Sequence, residues 1–254
     1  MKILTIAKNT YKEAIRSKLF ILLTIFSLTI IAFSKIISML VVSAEARVIK
    51  DMGLATIEIF SILTGVLIAV NLFYKEKERR TLFNILSKPI SREEFIIGKF
   101  LGISAVLLVS IIVLGAVFLL YLWGLEGEFS FYLIYQMIFT FLIGNILIGF
   151  SLLFSTLSTP ILSSIFSFGV YLIGYFTPTL INYYQSKLHG IAKIVLKIIY
   201  YVLPNLTIMN WKNEIIHSQT IPFDNFITGL IYGLDYALLI LVLTIIIFKA
   251  KEIN

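Results

Sequence analysis

From Phe129 to Ser186 the chain runs for 58 residues without one Asp, Glu, Lys or Arg. No water-facing surface can be built from such a run, and at 1.5 Å per residue a single helix would be about 87 Å long, nearly three times a hydrocarbon core of roughly 30 Å. The segment must therefore cross a bilayer, turn and cross again. The cluster Ser155, Thr156, Ser158, Thr159, Pro160 supplies the turn, and a proline suits the first turn of a new helix. Spans are expected over 131–153 and 160–182. Composition extends the conclusion to the whole chain: 59% of its 254 residues are hydrophobic and 14% charged, with a mean hydropathy of +0.99. Ordinary soluble domains carry about 25% charged residues. The fold class expected is an all-α integral membrane protein. A net charge of +7 could serve nucleic acid or an anionic membrane face, and in this composition the membrane is the partner, with no nucleic acid. The absence of cysteine excludes disulfides, thiolate metal sites and cysteine nucleophiles.

Four further spans come from the remaining uncharged runs, because a charge at a helix centre costs about 2.5 to 3.5 kcal/mol on insertion. They are 19–42, with Lys35 near its end able to snorkel, 54–74, 100–123 and 225–248. The two termini and the 75–99 loop together hold 14 Lys and Arg, against seven on the other side. That bias puts both termini and the loop in the cytoplasm. Ala44-Glu45-Ala46 resembles a signal-peptidase site, but the basic and apolar regions before it are too long for a cleaved leader.

Residues 1–18 read as a helix lying in the membrane interface, with Ile3, Leu4, Ala7, Tyr11, Ala14 and Ile15 on one face and Lys8, Lys12, Glu13 and Arg16 elsewhere. The alternative is a charged flank that only sets topology. The stretch 74–102, YKEKERRTLFNILSKPISREEFIIGKFLG, reads as two short helices. The first stops at Ser87-Lys88-Pro89, since proline disfavours helix in its predecessor. Ser91 and Glu94 are spaced as a capping box, and Ile90 and Phe95 as a hydrophobic staple, so a second helix starts at 91. Leu82, Phe83, Ile85 and Leu86 need covering by lipid or protein, and a protein partner is the stronger expectation.

This elbow resembles the cytoplasmic loop of ABC-2 type permeases, the membrane subunits of a class of ABC exporters, in particular the NosY-like and NatB-like branch. An acidic residue, a Thr-Leu pair, a Pro-x-Ser-Arg and a Gly-Lys recur there, matched here by Glu76, Thr81, Leu82, Pro89, Ser91, Arg92, Gly98 and Lys99, with Arg80 where glycine is commoner. The resemblance extends to the layout of an N-terminal helix, six spans, a basic loop after the second and a long external segment, so residues 1–254 form one transmembrane domain. It implies a coupling element at 75–99, in which Glu76, Glu78, Arg79, Thr81, Leu82, Phe83, Leu86, Pro89, Ser91 and Arg92 dock on a separate ABC ATPase. Two ATPase copies, which hold the ATP and magnesium, and a second permease copy would complete the transporter in the plasma membrane. No cofactor or metal is expected on this chain. No G-x-x-x-x-G-K-[ST] is present, so ATP hydrolysis belongs to another chain and no catalytic residue is expected here.

The external segment, 183–224, carries an amphipathic stretch over 188–203 with Ile191, Ile194, Val195, Ile198, Ile199 and Val202 on one face. It should lie on or dip into the outer leaflet, either helping to close an outer gate, as the resemblance implies, or covering span ends. Glu58 and Asp235 are the intramembrane acids and the candidates for a gate or path, both nearer the outer boundary and shallow enough to be wetted. Gly229-x-x-x-Gly233 permits close helix packing. The competing function is a secondary transporter driven by an ion gradient, against which the absence of an internal repeat speaks. An intramembrane hydrolase is disfavoured because His189 and His217, the two histidines, both fall outside the spans.

Overall fold

The structure is a computed structural model that describes residues 2–40, 45–78, 91–126, 131–184, 194, 200, 202–217 and 219–250. Among them there is no strand. The helices are α1 Lys2–Ile15, α2 Lys18–Ser38, α3 Glu45–Glu78, α4 Arg92–Glu126, α5 Tyr132–Leu157 and α6 Pro160–Tyr184, then a 3-10 turn Leu206–Met209, α7 Lys212–Ile216 and α8 Phe223–Ala250. Five are long and apolar enough to cross a membrane, and Pro160–Phe176 adds a shorter apolar stretch. The chain is an all-α membrane protein.

Local chemistry sets the boundaries. Ser17 caps α2, its hydroxyl accepting from the Phe20 N–H at 3.2 Å, and Pro160 occupies the first position of α6, where its missing N–H costs nothing. Ser91 and Glu94 complete the expected capping box: the Ser91 N–H donates to Glu94 Oε2 at 2.9 Å and the Glu94 N–H to Ser91 Oγ at 3.1 Å. The staple partner Ile90 lies outside the described residues. The first span ends at Ser38, short of the expected 42, and α3 begins at Glu45, nine residues before the expected 54. At 34 and 35 residues, α3 and α4 exceed the roughly 20 that a crossing needs and project beyond it.

The core is organised on α5, buried along nearly its whole length, with α3, α4, α6 and α8 around it. Helix α8 lies along α5 because its glycines allow it. A Cβ on Gly229 would come within 2.9 Å of Phe139, and one on Gly233 within 2.9 Å of Leu142, so the G-x-x-x-G serves packing inside this chain. Thr244 Oγ1 donates to the Ile240 and Gly149 carbonyls at 2.7 and 3.3 Å, and Ser151 Oγ donates to Ser167 Oγ at 3.0 Å across α5 and α6. Helix α2 buries Ser27, Ile31, Ser34 and Ser38, a stripe of mostly small residues, packs Phe20 and Leu28 beside them, and leaves Leu22, Ile25, Phe33 and Ile36 exposed.

Helix α1 seats one face on the bundle. It packs on α4, where Gly98 and Gly102 form a groove: a Cβ on Gly98 would come within 2.7 Å of Ile6, and one on Gly102 within 2.7 Å of the Ala7 carbonyl oxygen. Thr10 and Ala14 are buried there, while Leu4, expected on the apolar face, is 74% exposed. Helical periodicity identifies an apolar face without saying whether lipid or protein covers it, and two glycines one turn apart give this face a protein seat.

The segment before the last long helix adds to the core. The amphipathic stretch expected over 188–203 lies mostly outside the described residues, and the stretch that follows it, from Asn205 to Met209, is folded inward. Leu206 and Met209 are fully buried between α5, α6 and α8, with Asn205 Oδ1 accepting from the Thr207 N–H at 3.2 Å. Tyr232 and Tyr236 of α8 hold it, Tyr232 Oη accepting from the Asn205 N–H and Tyr236 Oη donating to the Val202 carbonyl, both at 2.7 Å. Burying 3-10 backbone is tolerable because these partners satisfy it.

Candidate functional site

Two polar constellations stand out in this apolar bundle, one toward each end. The first is built on Glu58, about 30 Å up α3 from Glu78. Its carboxylate is fully buried. Oε1 accepts from the Tyr171 and Tyr175 hydroxyls at 2.8 and 2.7 Å. Oε2 lies 2.8 Å from Lys212 Nζ and accepts from Gln136 Nε2 at 3.4 Å. Gln136 Oε1 in turn accepts from the Trp211 N–H at 3.0 Å. Glu58 is therefore shielded from solvent, although its position near a span end suggests a wetted site. Two tyrosines four residues apart on α6 and a lysine brought in by α7 enclose it. The knot ties α3, α5, α6 and the segment before the last span at one point. A carboxylate in such a place is stabilised only by charge-assisted hydrogen bonds and a countercharge, and both are supplied.

Asp235 is not part of this knot. It lies on the exposed face of α8 among Leu234, Leu238 and Leu239, and has no ion pair to any described residue. The structure therefore separates the two acids that the sequence groups together. The other members of the knot, Gln136, Tyr171, Tyr175 and Lys212, are not candidates on sequence grounds. The available signals are the i, i+4 tyrosine pair, the amide within an uncharged run and a lysine close before the last span.

The second constellation joins the end of α3 and the start of α4 at the end of the bundle where α1 begins and α8 ends. Lys99 of α4 is 2% exposed, its Nζ 2.6 Å from Glu76 Oε1 of α3 and 5.8 Å from the centroid of the Phe95 ring. Around this pair Lys75 meets Glu13 of α1, and Glu93 meets Lys249 of α8. Arg92 Nη1 donates to the Phe248 and Lys249 carbonyls at 3.3 and 3.0 Å, which neutralises part of the C-terminal end of α8. Phe95 stacks on Phe248 with centroids 5.9 Å apart. Four helix ends are thus fastened to one another. Of the coupling residues expected from sequence, Glu76 and Arg92 belong to this cluster, and Ser91 caps the start of α4. Glu78 closes α3, and Arg79, Thr81, Leu82, Phe83, Leu86 and Pro89 lie outside the described residues. Among the described residues no group of three His, Cys, Asp or Glu is placed to hold a metal.

No curated protein matches the chain. The model of one family, described as ABC-2 family transporter protein, matches residues 4–253, nearly the entire sequence. An all-α bundle of membrane-crossing helices carrying that match from end to end is a multi-pass membrane transport component, and the chain belongs to the ABC-2 family of ABC transporter permeases.

Proposed function

We propose that the chain is the permease half of an ATP-driven exporter in the plasma membrane, with both termini cytoplasmic. Two ABC ATPase subunits hold ATP and magnesium beneath it, a second permease copy stands beside it, and the substrate path runs between the two copies. The observation that carries the proposal is the buried Lys99–Glu76 pair, which joins α3 to α4 across the intervening residues 79–90 of the chain. An ATPase pushing the intervening elbow through Leu82 and Phe83 moves the ends of both helices together. Glu13–Lys75, Glu93–Lys249 and Arg92 pass that motion to α1 and α8. The bundle then alternates between inward and outward openings.

Glu58 and Lys212 form the outer latch in this scheme: they hold the buried 206–216 segment against α3 and α6, and a push from the other end must break them to open the outer face. Placing the termini on the cytoplasmic side follows from the lysine and arginine bias and puts the elbow within reach of an ATPase. The test is Leu82→Asp or Phe83→Asp in the assembled transporter. The expected result is ATPase activity without transport, and normal insertion. Normal transport with the ATPase bound would remove the coupling assignment.

A further inference from the structure

Helix α1 lies across the end of the bundle. Near its start Ile6 meets the groove at Gly98, the residue before Lys99, and near its end Glu13 pairs with Lys75, the residue before Glu76. Since Lys99 and Glu76 are themselves an ion pair, both ends of α1 stand level with the place where α3 and α4 leave their crossings. Ser17 then caps α2, whose apolar span starts at Lys18, so Arg16 stands at the same boundary. At 3.6 residues per turn the side chains of α1 fall around the helix in a fixed order. Ile6, Thr10 and Ala14 form the seat on α4. Tyr11 and Ile15, partly buried against the core, and the exposed Leu4 come next. Lys8, Lys12 and Arg16 follow, one turn apart and opposite the seat; all three are exposed, and none is ion-paired to a described residue. Asn9 and Glu13 complete the circle.

Seat, apolar band, cations and uncharged or acidic polar groups thus succeed one another around α1 in the order in which an interface offers protein, acyl chains, phosphates and water. A solvated face would account for the cations but not for the apolar band that adjoins them from Leu4 to Ile15. We propose that Lys8, Lys12 and Arg16 bind the phosphates of anionic phospholipids in the leaflet where α1 lies, the acyl chains covering Leu4, Tyr11 and Ile15. Lys12 stands one turn from each of the other two, so a phosphate reached by either neighbour is within reach of Lys12 as well. Each Lys or Arg close to an anionic lipid surface contributes about fivefold in affinity, so a headgroup of net negative charge that meets two of them gains about twenty-fivefold over a zwitterionic one. The surface is defined by α1 and its seat alone, and it stands whether or not the exporter reading does.

The test is titration of the purified full chain with dioleoyl-phosphatidylglycerol and with dioleoyl-phosphatidylcholine, read by native mass spectrometry without ATPase or nucleotide. The anionic lipid should bind about twenty-fivefold more tightly, Lys12→Gln should cut that preference about fivefold, and Lys12→Arg should keep it. Lys12 is exposed and has no ion pair to lose, so both variants should melt with the parent, which separates lost binding from lost fold. Arg47→Gln removes the same charge from the exposed start of α3, at the opposite end of that helix from Lys75, and should leave the preference intact. Equal binding of the two lipids, or an unchanged preference in Lys12→Gln, overturns the assignment. An equal loss in Arg47→Gln also overturns it, because net charge alone would then attract the lipid. A Lys12→Gln protein that keeps its lipid preference but no longer co-purifies with the ATPase would make the ridge a docking face for that subunit and remove the lipid from it. Because nothing in the titration involves ATP, its failure leaves the exporter reading standing, and failure of the Leu82→Asp test leaves the lipid surface standing.

Discussion

Replacing Lys212 by Met keeps an apolar stem of similar length in its channel and removes only the ammonium that faces Glu58. The carboxylate would keep its two tyrosine bonds and the long Gln136 contact but lose its countercharge, at a site with no exposed surface. Stripping one partner from a buried ion pair costs about 3 to 5 kcal/mol. For a chain of this length 1 kcal/mol corresponds to roughly 2–4 °C, so the melting point in mild detergent should fall by roughly 6–20 °C. Glu58→Gln should cost less, about 1.5 to 3 kcal/mol, because Lys212 remains 16% exposed and its ammonium can turn toward water. The double variant exchanges the pair for neutral groups and should recover most of the loss, giving a coupling energy of at least about 2 kcal/mol. Thermal melting of the four proteins closes the cycle. A Lys212→Met protein melting within about 2 °C of the parent, or strictly additive single variants, would refute the latch.

Three further outcomes rest on the same kinds of contact. Tyr171→Phe and Tyr175→Phe each delete one hydrogen bond to a buried carboxylate and should each lower stability by about 1.5 to 3 kcal/mol in the same melt, with no change in helicity. Gly102→Val would drive a methyl group into the Ala7 carbonyl, which cannot yield as a flexible side chain can, so α1 should leave its groove and trypsin should cut faster at Lys12 and Arg16. Ser91→Ala removes half of the capping box at an exposed helix start and should cost about 0.5 to 2 kcal/mol locally, visible as faster hydrogen exchange over residues 92–95 while global melting barely moves.

The crossings are legible in the sequence because insertion penalises charge so heavily that uncharged runs can hardly be anything else. Pro160 and the Ser91–Glu94 box mark helix starts for equally local reasons. What joins the helices is not local. Glu58 finds Gln136 78 residues away and Tyr175 117 residues away, and nothing in either neighbourhood announces the partner. In a span rich in aromatic residues, Tyr171 and Tyr175 look like ordinary packing until an acid is placed between them. Depth estimated from span ends puts Glu58 near water, but the 206–216 segment folds inward and seals it. For α1 the helical period is legible but its seat is not, because Gly98 and Gly102, far along the chain, admit one side of the helix against α4. Lys99 follows a glycine in the family-like motif, yet its burial against Glu76 depends on the crossing of α3 and α4, which one-dimensional spacing does not contain.

An ATPase can act on the elbow between the second and third spans only from the side of the membrane where ATPases reside. The chain contains no cysteine, so a single Ser87→Cys substitution gives an unambiguous label. Treated with a membrane-impermeant maleimide, intact cells should leave this cysteine unmodified, while inverted membrane vesicles should label it fully. Modification from the outside of intact cells would contradict the proposal, since no cytoplasmic ATPase could then reach Leu82 and Phe83.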